Sequence, residues 1–137
     1  GGKSLKNEGG NVIDFIYQNR LSENIALIEI KTPHTNILGK KYRNTFTLSS
    51  EFTGAVNQLL NYRDNFQKNY YAVKSNSDTQ FSLISPNVYL IIGSHEIMGK
   101  AEKDCFELYR KNLNNITILT FDELFEKAFF VLTMMQK

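Results

Sequence analysis

Two carboxylates and an ammonium interrupt otherwise apolar runs near the start of the chain. Asp14 lies within Asn11-Val-Ile-Asp-Phe-Ile16, and Glu29 and Lys31 close the run Ile25-Ala-Leu-Ile-Glu-Ile-Lys31. Side chains alternate along a strand, so Leu27, Glu29 and Lys31 share one face while Ala26, Ile28 and Ile30 take the other. Charges at the end of an apolar strand are costly unless they are paired or used. A short connection lets Asp14 come beside Glu29 on the neighbouring strand. Two carboxylates held close repel, and a divalent cation relieves that repulsion; hard oxygen donors favour Mg²⁺ or Mn²⁺ over zinc. Lys31 beside such a cation would orient an attacking water or balance charge growing on a phosphate. That is the smallest equipment for hydrolysing a phosphodiester. An ordinary cross-strand salt bridge near a sheet edge is the competing reading.

A second polar group follows. At 100° per residue, Glu51, Gln58 and Tyr62 fall on one helical stripe beside the apolar positions Phe52, Ala55, Val56, Leu59 and Phe66. An amide and a phenol are thus presented together at the edge of the core. Lys40, Lys41 and Arg43 belong to a stretch from Lys31 to Arg43 without an acidic residue. They are candidates for phosphate contacts, or simply a solvated basic loop. His34 and His95 are weaker candidates at the same sheet end. The two histidines and Cys105 have no zinc spacing, and Cys105 reads as a core residue.

The elements that must position these groups follow from periodicity. Residues 1–10 are polar and glycine-rich and read as an edge segment. Residues 11–17 and 25–31 are strand-like around the polar stretch 18–24, which predicts an antiparallel hairpin. Pro33 should stop the second strand, and a loop is expected over 32–48. Ser49 or Ser50 offers an N-cap for a helix, with Glu51 at the positive end of its dipole. Residues 67–86 read as irregular. Residues 88–92 form a continuously apolar run ending at Gly93, as in a buried parallel strand. A helix over 100–113 should bury Ala101, Cys105, Leu108 and Tyr109. Residues 116–119 form another short strand. Thr120 and Glu123 then make a capping box, with Phe121, Leu124, Phe125, Ala128, Phe129 and Leu132 following at helical spacing. The order β-β-α-β-α-β-α predicts an α/β domain built on a mixed sheet flanked by helices.

Composition is consistent with one such domain spanning 1–137. The chain has 42% hydrophobic and 22% charged residues, close to an ordinary globular protein. A net charge of +2, from 16 basic and 14 acidic residues, is too small to argue for nucleic acid by itself. No apolar run approaches the roughly 20 residues of a membrane span. A single cysteine cannot form an internal disulfide, so a reducing, cytoplasmic setting is expected.

Asp14, Glu29-Ile30-Lys31 and a following Gln58-x-x-x-Tyr62 helix together resemble the PD-(D/E)xK nuclease superfamily, in its RecB-like branch. Local wording is similar to the Shedu family of bacterial anti-phage defence nucleases. The matching stretches begin at Asn11, Ile28, Glu51, Tyr89 and Leu119, and the resemblance covers about residues 10–130. It implies a restriction-endonuclease-like core with Asp14 and Glu29 as metal ligands and the Ile30 backbone carbonyl as a third. Lys31 would act on the attacking water or the transition-state charge. Gln58 would position water or phosphate, and Tyr62 would contact the phosphate backbone. The implied activity is Mg²⁺- or Mn²⁺-dependent endonucleolytic cleavage of DNA, double-stranded rather than single-stranded. A nucleic-acid-binding or assembly module with weak or no activity is the alternative on the same fold. The resemblance further implies a homo-oligomer and a regulatory N-terminal region, the present chain being an excised C-terminal domain. The family core usually opens with a helix bearing another acidic residue, and this chain departs from that pattern.

Overall fold

The computed structural model describes residues 14–18, 20–22, 24–74 and 86–136. Residues 1–13 and 75–85, on which parts of the expected edge segment, first strand and irregular stretch fall, lie outside the described residues. The elements are β1 (Phe15–Gln18), β2 (Ile25–Ile30), β3 (Leu38–Tyr42), β4 (Thr45–Leu48), α1 (Ser50–Lys74) and β5 (Asn87–Ile91). A 3₁₀ turn (His95–Ile97), α2 (Lys100–Lys111), β6 (Thr117–Leu119) and α3 (Phe121–Met135) complete the order.

Four strands form a mixed sheet in the order β1-β2-β5-β6. β1 runs antiparallel to β2, the expected hairpin, while β2–β5 and β5–β6 are parallel. Parallel neighbours need crossovers, and α1 and α2 supply them. Register fixes the faces: Leu27 pairs with Val88, and Glu29 with Leu90, which pairs in turn with Ile118. All five are buried. α1 packs on β2 and β5, and its Phe52, Ala55, Val56 and Leu59 join the same core as Leu27, Val88 and Leu90. Each such side chain contributes about 1.5–3 kcal/mol by leaving water. Glu29 therefore points into the helix-covered face. Among the described residues, no helix is long and apolar enough to cross a membrane.

Three expectations are corrected. The stretch 32–48 is not a plain loop, because it holds the antiparallel β3–β4 pair, with Leu38 opposite Leu48 and Lys41 opposite Phe46. Arg43 makes the turn in the left-handed region, at φ 52°. α1 continues past residue 67 to Lys74, since nothing from 67 to 74 is a proline or glycine. α2 is rotated relative to its expected face: Ala101 and Leu108 are exposed, and Phe106 is fully buried. Edge contacts of Phe106 with Phe52 and His95 set that phase.

Candidate active site

β2 carries Glu29 inward, and the residue is only 6% exposed. Lys31, one step beyond the strand on the same face, brings its Nζ to 3.6 Å from Glu29 Oε1. The β1–β2 register pairs Phe15 with Ile28, so its continuation sets Asp14 opposite Glu29. Asp14 is fixed there by its own chemistry: its Oδ2 accepts a 2.7 Å hydrogen bond from the Ile30 backbone N–H. Burial raises the Glu29 carboxyl above its usual range, and the neighbouring Asp14 charge raises it further; Lys31 partly offsets both. The pair is thus a carboxylate site short of positive charge.

The end of β2 is held by both backbone and side-chain hydrogen bonds. The Lys31 N–H donates to Ile91 O at 2.8 Å, and Gly93 N–H donates to Thr32 O at 3.0 Å. Thr32 and Thr35 share a hydroxyl contact at 2.8 Å, and Ser94 Oγ donates to Pro33 O at 3.1 Å. Gly93 sits at φ +65°, and a Cβ there would lie 2.8 Å from Thr35 O. Only glycine fits where the segment after β5 meets the loop that follows β2.

The other expected residues are placed unevenly. Ser49 caps α1, its Oγ accepting from Phe52 N–H at 3.0 Å. Gln58 is half-buried on α1, while Tyr62 is buried in the core. Burial pushes the Tyr62 phenol upward. Of the expected phosphate contacts, Tyr62 is therefore the least open. Ile30 lies on the opposite, partly exposed sheet face. Lys40, Lys41 and Arg43 are exposed on the β3–β4 hairpin, where Arg43 lies 5.6 Å over the Tyr42 ring. His34 is exposed in the loop after Lys31. Cys105 is half-buried, with Sγ 3.3 Å from Thr45 Oγ1.

His95 belongs to a polar cluster that sequence reasoning missed. Its Nδ1 lies 2.9 Å from Thr120 Oγ1. The Thr120 hydroxyl donates to Glu123 Oε1 at 3.0 Å, which leaves His95 Nδ1 as the donor to Thr120. Arg110 donates to both Glu123 oxygens, at 2.6 and 2.8 Å, and also to Glu107. Burial works to raise the Glu123 carboxyl, but hydrogen bonds from Arg110 and Thr120 outweigh it and hold it at about 2. Asp122 is likewise held at about 2, where burial is outweighed by hydrogen bonds, among them the Glu96 backbone N–H to its Oδ2 at 3.1 Å. His95, Glu107 and Glu123 offer ligand atoms within 4.8 Å of one another, the arrangement of a possible acidic and histidine metal cluster. The Arg110 guanidinium already balances both carboxylates there. The sequence signals near this cluster were the capping box, which marked Thr120 and Glu123, and His95 after the 88–92 run; neither pointed to Glu107 or Arg110.

A mixed sheet flanked by helices, with paired carboxylates and a lysine at the end of its second strand, is compatible with a nuclease-like core. The chain belongs to the family described as Shedu protein SduA, C-terminal, whose model matches residues 3–125. Shedu protein SduA of Bacillus cereus (strain B4264) is 40% identical over 136 residues, covering 93% of this chain and 36% of that protein. The chain thus spans little more than a third of that relative's length.

Proposed function

We propose that this domain is a divalent-metal-dependent nuclease that hydrolyses phosphodiester bonds in DNA and serves anti-phage defence. Carrying the reading is the Asp14–Glu29–Lys31 constellation: a carboxyl raised by burial and further by a second carboxylate, with an ammonium 3.6 Å away. Membership of the Shedu family supports the defence role. The donor set fits Mg²⁺ or Mn²⁺, because both side chains offer hard carboxylate oxygens and Glu29 gains from a nearby positive charge. Asp14 and Glu29 would hold the ion, with the Ile30 carbonyl as a further ligand. When bound, it would supply Lewis acidity toward a phosphoryl oxygen and a more acidic water.

The chain's own residues do the rest. Asp14 is braced by the Ile30 N–H, so it approaches the site without having to reorganise. Lys31 sets a fixed positive charge beside the phosphoryl oxygens, on which negative charge grows as water attacks phosphorus and the sugar oxygen leaves. Gln58 orients the water or the phosphate from α1. Lys40, Lys41 and Arg43 hold the duplex backbone, and Tyr62 contributes from the core side. In the full-length protein, the region beyond this chain would regulate the domain.

Plasmid incubated with Mg²⁺, with Mn²⁺ or with a chelator should be cut only in the metal-containing samples. Intact plasmid throughout, with DNA still bound, would favour a binding module on the same fold. Mn²⁺ titration should show a site that weakens in Asp14→Asn and in Glu29→Gln, since only ionised carboxylates ligate well. Binding should also weaken as pH falls toward the raised Glu29 range. If both variants bind as the parent does, the assigned site is wrong.

The basic hairpin has its own measurement. Neutralising Lys40, Lys41 and Arg43 together should flatten the salt dependence of DNA binding by up to about three counterion units. An unchanged slope would return the hairpin to the status of a solvated surface.

A further inference from the structure

Lys31 stands one residue past the end of β2, where the sheet no longer holds both sides of its backbone. A side chain leaves Cα in a direction set by the two peptide groups that flank it, because each is planar and turns only about φ or ψ. The peptide before Lys31 is fixed by β5, since the Lys31 N–H donates to Ile91 O at 2.8 Å. The peptide after it lies beyond the strand. Its N–H, that of Thr32, donates to a side chain instead, reaching Thr35 Oγ1 at 3.2 Å. We propose that Thr35 is a positioning residue for Lys31: its hydroxyl stands in for the next ladder acceptor and fixes the direction in which the ammonium leaves the strand.

The hydroxyl can do this because the turn that carries it is rigid. Thr35 N–H donates to Thr32 O at 3.2 Å, closing a four-residue turn. Pro33 occupies its second position, where the fixed φ of proline is favourable. The Thr32 and Thr35 hydroxyls lie 2.8 Å apart and share a further hydrogen bond. The turn is also tied to the segment after β5. Gly93 N–H donates to Thr32 O at 3.0 Å, and Ser94 Oγ donates to Pro33 O at 3.1 Å. Thr35 O takes up the space that a Cβ on Gly93 would need. Phe121 N–H in turn holds Gly93 O at 2.9 Å. Both peptides around Lys31 therefore take their bearing from β5 and its extension.

Stability alone does not account for so many bonds in this turn. Thr32, Pro33 and His34 are exposed, so water could replace the Thr35 oxygen at the Thr32 N–H with little loss. Water cannot replace direction. The Lys31 ammonium, 3.6 Å from Glu29 Oε1, ends a flexible four-carbon stem, and a swing of its backbone is amplified there. Misplacing a catalytic group by about 1 Å can cost about 10²-fold in rate. This inference rests on the reading of Lys31 as the charge that acts at the phosphate.

Thr35→Val keeps the shape and removes the hydroxyl, whereas Thr35→Ser keeps the hydroxyl. In single-turnover cleavage at saturating DNA with Mg²⁺, Thr35→Val should be about 10–100-fold slower, with DNA and Mn²⁺ affinities unchanged. Thr35→Ser should cut at close to the parental rate. Added to Lys31→Ala, the valine should slow cleavage by less than about twofold more, because the group it positions is gone. With neither metal nor DNA present, the Thr32 amide should exchange with solvent several-fold faster in Thr35→Val than in the parent or Thr35→Ser. If the valine variant melts below the assay temperature, Thr35→Ala carries the same comparison. A parent that cuts no DNA overturns the nuclease reading and this one with it. A parent that cuts, and loses activity in Lys31→Ala, leaves the nuclease reading standing. The positioning role alone is then overturned by parental cleavage or unchanged Thr32 exchange in Thr35→Val, by a serine variant as slow as the valine, or by a full further loss in Lys31→Ala. Weakened DNA affinity at an unchanged rate would also overturn it, making Thr35 a DNA contact.

Discussion

Replacing Lys31 with alanine is expected to lower the rate of DNA cleavage by about 10²–10³, because a preorganised charge beside the reacting phosphate contributes on that scale. The fold should survive. Lys31 lies past the last residue of β2, half-buried at the site's edge, and its backbone N–H bond to Ile91 O does not depend on the side chain. Metal binding should persist as well, since Asp14 and Glu29 remain. Its pH dependence should shift, however. Lys31 lowers the Glu29 carboxyl against burial and the Asp14 charge, so its removal raises that carboxyl further. Mn²⁺ binding by the variant should therefore weaken at a higher pH than in the parent. Gln58→Ala should cost less, because an amide orients without neutralising. Single-turnover cleavage, Mn²⁺ titration across pH and thermal melting separate these effects. Cleavage at the parental rate would sink the assignment. A variant that simply melts early would make Lys31 the structural partner of Glu29 and nothing more.

Arg110→Met should destabilise the domain by about 2–3 kcal/mol at neutral pH, less than a fully buried pair would lose because the cluster is partly solvated. Arg110 joins α2 to the start of α3 through Glu123 and to β6 through Ile118 O at 3.1 Å. Without it, Glu107 and Glu123 keep their charges with Asp122 nearby and no guanidinium between them. The effect must depend on pH. Glu123 falls from an ordinary 4.5 to about 2 in the folded protein. Its stabilisation is thus present above pH 4.5 and lost as pH falls toward 2, where the unfolded chain binds more protons. Asp122, lowered from 3.8 to about 2, acts in the same direction. Glu29 runs the opposite way: raised in the fold, it favours the folded state below 4.5 and less as pH climbs. Urea melts at pH 7 and pH 3 should show a large difference between parent and variant at the first and a small one at the second. Equal differences at both would mean that Arg110 acts through packing on Phe106, over which it lies at 4.7 Å.

The sequence by itself determined whatever is local or periodic. Alternation in 25–31 put Glu29 and Lys31 on one face, and the short connection to residues 11–17 brought Asp14 beside them. The unbroken apolar run at 88–92 implied a parallel strand buried in the sheet. Thr120 and Glu123 announced the start of α3 because a capping box is complete within four residues. Tertiary structure decided the rest. β3 and β4 were hidden because Gly39, Lys40 and Lys41 face water and show no apolar alternation. The phase of α2 depended on which side Phe106 found Phe52 and His95, which spacing within the helix could not reveal. The His95–Thr120–Glu123–Arg110–Glu107 cluster draws on the 3₁₀ turn, α2 and the capped start of α3, and beyond the Thr120–Glu123 box no local signal joins them. The apolar residues of α3 were visible as helical spacing, yet spacing cannot say whether a stripe is covered. Covering depends on what packs against that side, and among the described residues the contacts of α3 gather at its first turn, where Thr120, Glu123 and Arg110 meet.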